Sequence, residues 1–137
     1  MAEKDWKTIY RRVKSKPIFI KDGKPTSAIF KDSHGVSVNK DANRDLSVII
    51  QEEERLHKFY NRNLTESDIK QKGEELRAIV SLTDEDCDAV GAYLLSDPIE
   101  EENPYHALLQ KSETEIQLTK GQAKSLAKKA YIVKSYQ

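Results

Sequence analysis

Leu76-Arg77-Ala78-Ile79-Val80-Ser81-Leu82 is the clearest β-strand in the chain, and it indicates what kind of fold the protein has. The run is rich in aliphatic and β-branched residues, and it ends directly at Thr83, whose hydroxyl can cap a helix. Asp84-Glu85-Asp86 follow, and carboxylates near a helix N-terminus interact favourably with the helix dipole. The sequence therefore predicts a strand that passes straight into a helix.

Amphipathic helices are predicted on both sides of this strand. Residues 46–60 carry apolar side chains at spacings of three and four, with Glu53 as the one polar side chain on the apolar face. Thr65 with Asp68, and Thr119 with Gln122, have the spacing of capping boxes, in which the first residue caps the helix. We expect the second box to open a last helix over residues 120–133, and the spacing of Trp6, Ile9, Tyr10 and Val13 predicts another over 5–14.

Shorter extended runs fill the intervals between these helices. Asp22-Gly23 is a strong hairpin-turn signal, so residues 26–30 are predicted either to return as a strand beside residues 18–20 or to form a short extended segment after Pro25. Residues 36–38, 93–95, 105–109 and 115–118 are further predicted strands. Because no regular strand-helix-strand rhythm appears, we predict one α+β domain over residues 1–137, with short, mainly antiparallel strands and about four helices. The predicted core comprises Ile49, Leu56, Ile79, Val80, Leu82, Leu94, Leu108, Ile116, Leu118 and Leu126.

Length and composition limit the class of protein. The chain has 137 residues, of which 37% are hydrophobic and 34% charged, which suits one modest core. A single cysteine, Cys87, rules out an internal disulfide, and its acidic neighbours disfavour a thiolate nucleophile. No apolar run is long enough to cross a membrane, and the first residues lack the apolar core of an export signal. We expect a soluble cytoplasmic protein.

Charge is balanced overall but unevenly distributed. Residues 1–40 hold ten Lys or Arg against four Asp or Glu, and residues 104–137 hold six against two. Residues 41–103 hold seven against seventeen. Such asymmetry can mark an interaction surface, but it can also bring both basic ends onto the acidic middle of the same chain. We favour the second interpretation because the total charge is zero.

Motifs for catalysis, metals or phosphate loops are missing from the sequence. The three histidines, His34, His57 and His106, form no metal-binding motif, and Glu53 with His57 one turn later is expected to be a helical charge pair. No cofactor and no metal site are predicted. His106 stands at the start of a predicted strand, where it could exchange protons or serve a structural role.

Two basic segments are the candidate binding sites. Lys120, Lys124 and Lys128 recur at steps of four along one face of the last helix, within residues 120–129. Residues 11–16, which include Arg11 and Arg12, form the second segment beside Trp6 and Tyr10. Aromatic side chains among basic ones suit single-stranded nucleic acid, although the sequence pI of about 6.8 is low for a dedicated nucleic-acid domain.

Three parts of the chain together resemble a class of small bacterial proteins with no known activity. They are residues 21–31 with 35–38, residues 97–98 with 103–107, and residues 118–128. The resemblance covers most of the chain and implies no activity, cofactor or partner. A second similarity, to the opening of ADP-ribosyltransferase-like toxins, rests on residues 10–13, the Asp-Gly turn, Ser27 and Phe30, but the far end shows no acidic residue to complete such a site.

Three functional hypotheses remain open. The leading one is a non-enzymatic binding or accessory protein that contacts another macromolecule, most simply a protein, through Arg11, Arg12, Lys120, Lys124, Lys128 or His106. The first alternative is nucleic-acid binding through residues 11–16 and 120–129. The second alternative is a small enzyme whose site residues are dispersed along the sequence. Oligomeric state is left open.

Overall fold

One antiparallel sheet, packed on both faces, organises residues 6–136, which are the residues described in the computed structural model. The strands are β1 (Thr8–Lys14), β2 (Ile20–Lys21), β3 (Lys24–Pro25), β4 (Val36–Lys40), β5 (Leu76–Thr83), β6 (Tyr93–Ser96), β7 (His106–Gln110) and β8 (Tyr131–Ser135). The helices are α1 (Leu46–Tyr60), α2 (Glu66–Gln71), α3 (Asp84–Ala89) and α4 (Lys120–Lys129), with a 3-10 helix at Ser27–Phe30.

Six strands form the main sheet in the order β6-β7-β4-β1-β5-β8, and every pairing is antiparallel. One face packs against the 3-10 helix and α4, and its core includes Ile9, Phe30, Val80 and Leu126. The other face packs against α1 through Tyr10, Ile49 and Ile79. The four helices and eight strands of the described residues confirm the predicted α+β class.

Helix starts follow the sequence closely because side-chain caps act locally. Thr65, Thr83 and Thr119 each accept a hydrogen bond from the backbone of the residue three positions on, and each pair completes a capping box. β5 is also found where the sequence predicts it, and its residues Ala78, Ile79 and Val80 are fully buried.

The prediction of a helix over residues 5–14 is wrong. Residue 5 lies outside the described residues, and residues 8–14 form β1, the strand between β4 and β5. Ile9 and Val13 are buried on the α4 face, whereas Tyr10 is buried on the α1 face. A strand that is covered on both sides loses the alternation of polar and apolar residues, so its pattern resembles that of a helix.

Three further local predictions need correction. Residues 27–30 form a 3-10 helix capped by Thr26 instead of a return strand, although the Asp22-Gly23 turn does join β2 to β3. Residues 115–118 form no strand, and Ile116 is 48% exposed instead of buried. Helix α4 ends at Lys129 and residues 131–135 form β8, because the β-branched pair Ile132-Val133 suits a strand. Leu94 and Leu108, also predicted for the core, are half-buried.

Candidate ligand-binding groove

β1 and β4 separate part of the way along the sheet. They pair at Ile9 with Lys40 and at Tyr10 with Asn39, and β1 then continues beside β5 alone. The Arg11 side chain crosses the opening: its Nε donates to the carbonyl of Ile29 at 2.7 Å and its Nη1 donates to the carbonyl of Ser37 at 2.7 Å. The sheet is therefore split at this point, and an arginine ties the two sides together.

A groove with a volume of about 1000 Å³ lies along this split. Its walls come from β1, β4, the 3-10 helix, the end of α1 and the start of β7. Cationic, aromatic and imidazole groups share the lining, in the form of Arg11, Arg12, Lys14, Lys16, Tyr10, Phe19, Tyr60, His57 and His106. This volume is at the upper end of the range for small-molecule sites, so the groove can hold a sizeable ligand.

A buried polar network forms the floor beside Arg12. Glu53 is only 1% exposed, and its carboxylate accepts hydrogen bonds from Arg12 Nη1 at 2.5 Å and from Asn39 Nδ2 at 2.7 Å. Asn103 Nδ2 in turn donates to Asn39 Oδ1 at 2.7 Å. Each of these groups is a hydrogen-bond partner of the next. These hydrogen bonds offset the free-energy cost of burying the charged carboxylate.

Arg12 is held between this network and the solvent. Its guanidinium carbon lies 5.6 Å from the centre of the Tyr60 ring, and its side chain is 22% exposed. One of its donor nitrogens contacts Glu53, so donors remain for an incoming acceptor. A planar guanidinium that is fixed by a buried carboxylate is well suited to bind a phosphate or carboxylate group.

Two lysines of the groove have an acidic partner from the middle of the chain. Lys14 Nζ lies 2.6 Å and Lys16 Nζ 3.9 Å from the carboxylate of Glu74, and the hydrogen bond from Lys14 holds the pKa of Glu74 below its usual value. Burial lowers the pKa of Arg11 to about 10, which leaves it charged at neutral pH. The basic N-terminal segment thus folds back onto acidic residues, as expected.

His106 is oriented by the main-chain carbonyl of Asp97 at the edge of the groove, and the Asp97 carboxylate lies close to the same nitrogen. Its Nδ1 lies 2.9 Å from the carbonyl oxygen and 3.2 Å from Oδ2 of Asp97, and its side chain is 12% exposed. It stands opposite Asn39 in the β4–β7 pairing, so both side chains lie on the α1 face. Within residues 6–136, its Nε2 makes no hydrogen bond.

The other histidines have different surroundings. His57 lines the groove from α1, and its Nε2 lies 2.7 Å from the carbonyl of Glu74. The expected charge pair between His57 and Glu53 is wrong, because Glu53 turns inward to Arg12. His34 is exposed beside Ser33 and takes no part in the groove. Among residues 6–136, no three His, Cys, Asp or Glu side chains are grouped so that they could hold a metal ion.

The lysine stripe lies elsewhere. Lys120, Lys124 and Lys128 are exposed on α4, whose buried residues Ala123 and Leu126 pack in the core beside the 3-10 helix. No residue of α4 lines the groove. The three lysines form no ion pair with the described part of the chain, so the expected docking onto the acidic middle is not found there. The structure brings together Arg11, Arg12 and His106 and leaves the stripe apart.

Three residues of the site were not proposed as site residues from the sequence. Glu53 carried a signal, since it is the polar side chain on the apolar face of α1, but its partner could not be named. Asn39 and Asn103 carried none, because they follow strand and loop patterns in which an asparagine is ordinary. A buried amide is recognised only once its neighbours are known.

The fold is thus an α+β sheet whose split carries a basic and aromatic groove. Comparison with protein-family models, with curated proteins and with solved structures gives no match to this chain. Of the helices in residues 6–136, none combines the length and the apolar character that a membrane span requires.

Proposed function

We propose that the protein binds single-stranded nucleic acid in the groove between β1 and β4. The observation that carries the proposal is the shared lining, in which the cations Arg12, Lys14 and Lys16 line one groove with the rings of Phe19 and Tyr60. Cations follow a phosphate backbone, and aromatic rings stack with bases that are not paired. A double helix would keep its bases from such rings.

The charge pairs of the groove are compatible with this role. Lys14 and Lys16 are 49% and 41% exposed in their contacts with Glu74, so a phosphate can reach both ammonium groups. Arg12 is fixed from behind by Glu53 and keeps donors toward the groove. The site therefore offers one rigid and two adaptable contacts for phosphate.

This proposal narrows the wider class of macromolecule-binding proteins predicted from the sequence. A nucleic acid fits the lining better than a protein surface does, because cations and stacking rings recur along one groove. A protein partner stays a prediction, as does a place in the cytoplasm. Residues 120–129 are excluded from the proposed site, since no residue of α4 lines the groove.

Fluorescence anisotropy with labelled single-stranded oligonucleotides, measured at several salt concentrations, tests the proposal. We expect binding to weaken about tenfold when Lys14 and Lys16 are both changed to Ala, because two phosphate contacts disappear. The slope of log affinity against log salt should fall by about 1.4, since each phosphate contact to a single strand contributes about 0.7. Duplex DNA should bind more weakly than a single strand.

The matched control is the triple variant Lys120→Ala, Lys124→Ala, Lys128→Ala, which removes three exposed cations that lie outside the groove lining. It should leave affinity unchanged, and circular dichroism should show both variants folded. No binding at low salt would overturn the proposal, and so would an equal loss of affinity in the α4 variant.

A further inference from the structure

One ring nitrogen of His106, Nδ1, makes a hydrogen bond, and the other, Nε2, makes none within residues 6–136. Because Nδ1 contacts two acceptor oxygens of Asp97, it carries the proton of the neutral imidazole. Nε2 is then the acceptor, and His106 lines the groove next to Asn39. A histidine whose tautomer is set by a main-chain carbonyl, with a carboxylate close to the same nitrogen, has the arrangement of a general base.

We propose that the groove cleaves RNA, with His106 as the general base. The inference rests on the nucleic-acid binding proposed above. Nε2 of His106 takes the proton of a ribose 2′-hydroxyl, and the 2′-oxygen forms a bond to the adjacent phosphorus. The bond from that phosphorus to the 5′-oxygen of the next nucleotide breaks. The products are a 2′,3′-cyclic phosphate and a free 5′-hydroxyl.

The leaving 5′-oxygen needs a proton, and we assign this role to His57, which lines the same groove. His57 belongs to α1, so it lines the groove from a different wall than His106, which belongs to β7. Its Nε2 is engaged with the carbonyl of Glu74 at 2.7 Å, so a protonated His57 gives up the proton on Nδ1 and keeps the one on Nε2. Solvent returns both histidines to their starting states.

Arg12 supplies the positive charge that stabilises the reacting phosphate. Negative charge grows on the phosphate oxygens as the 2′-oxygen attacks, and a fixed guanidinium stabilises it without reorganising. The buried contact of Arg12 with Glu53 provides that fixation. Asp97 acts through His106 and is a positioning residue.

The substrate class follows from the nucleophile. The proposed groups transfer protons and bind phosphate, and none of them attacks phosphorus itself. RNA brings its own nucleophile in the 2′-hydroxyl, whereas DNA lacks this group. RNA should therefore be bound and cleaved, and DNA should be bound only.

The test uses the purified full chain with a 5′-labelled single-stranded RNA and, in parallel, the same sequence carrying 2′-O-methyl groups. We expect the RNA to be cut to products with cyclic phosphate ends and the methylated strand to be bound intact. His106→Gln should slow cleavage by at least about 100-fold, the usual contribution of a general base. Imidazole added to His106→Gly should restore part of the rate.

Two further variants separate chemistry from folding. Asp97→Asn should lower kcat while leaving KM close to that of the native chain, since it removes the negative charge that faces the imidazolium formed when His106 takes the proton. His34→Gln, which changes an exposed histidine outside the groove, should cleave at the native rate and controls for contaminating nucleases.

The outcomes distinguish this inference from the proposal on which it rests. RNA that binds but is not cut faster than by the His106→Gln variant overturns the cleavage and leaves nucleic-acid binding standing. Cutting of the methylated strand also overturns it. Failure of every oligonucleotide to bind overturns both.

Discussion

Glu53 is the side chain on which the buried polar network of this protein depends. It stands on the apolar face of α1, where an aliphatic residue would suit the core, and it is 1% exposed. Its carboxylate serves both Arg12 and Asn39. Replacing it leaves a cation and an amide without their acceptor in a partly dry environment.

We predict that Glu53→Ala lowers the free energy of unfolding by about 3–5 kcal/mol, the usual result of breaking a buried ion pair from one side. Urea unfolding followed by far-ultraviolet circular dichroism measures the change. Glu52→Ala is the matched control, because Glu52 pairs with Arg55 at 3.0 Å on the exposed side of the same helix. The control should cost less than about 1 kcal/mol. Equal stability of the two variants would contradict the role given to the network.

At the scale of elements, the turn before β4 shows why a glycine is required. Gly35 has a φ of +94°, and a Cβ built there would lie 3.3 Å from Cβ of Leu108 on the neighbouring strand β7. Gly91 has a φ of +68°, and a Cβ there would meet no atom within 4 Å. Both positions disfavour a side chain by conformation, but only Gly35 also lacks the space.

Substitution by alanine should separate the cost of the backbone conformation from the cost of the missing space. We predict that Gly91→Ala costs about 1 kcal/mol of unfolding free energy from the left-handed backbone alone. Gly35→Ala should cost more, because β4 must also move away from β7, and β4 forms one wall of the groove. Chemical denaturation of both variants checks the order, and a Gly35→Ala variant as stable as Gly91→Ala would refute the packing argument.

The sequence predicts an element correctly where the signal lies within a few residues. It fails where burial depends on residues that are distant in the sequence. The capping boxes at Thr65, Thr83 and Thr119 each act within four residues, so those helix starts were predicted correctly. The prediction for β1 is wrong because helices pack on both faces of the sheet at this strand. β8 was misread because nothing between Lys129 and Tyr131 breaks a helix as glycine or proline would.

The groove was predictable only in part for the same reason. Residues 11–16 and His106 were named from charge and chemistry, but the sequence could not show that they meet. Their meeting depends on strand order, since β4 lies between β1 and β7. The lysine stripe gives an equally strong signal in the sequence, yet the helix that carries it contributes no residue to the groove.

At the scale of the whole molecule, ion pairs join both basic ends to the acidic middle. Lys14 of β1 contacts Glu74, and Lys134 of β8 contacts Glu54 on α1 at 3.3 Å. Tyr136 also donates a hydrogen bond to Glu54 at 2.5 Å. The pKa of Glu54 is lowered, chiefly by the hydrogen bond from Tyr136, and that of Glu74 is lowered, chiefly by Lys14.

These lowered pKa values predict how stability changes in acid. A carboxyl whose folded pKa lies below its unfolded pKa stabilises the fold fully above the unfolded value and loses that contribution as the pH falls through the folded value. The ordinary value for both glutamates is 4.5, so the loss begins near there and continues below it. The double variant Glu54→Gln, Glu74→Gln should melt below the native chain at pH 7, and the two should converge as the pH approaches 3. Glu101→Gln with Glu113→Gln, two exposed carboxylates, should follow the native curve throughout. If the first double variant kept the native difference in melting temperature between pH 7 and pH 3, these ion pairs would not be what holds the two ends to the middle.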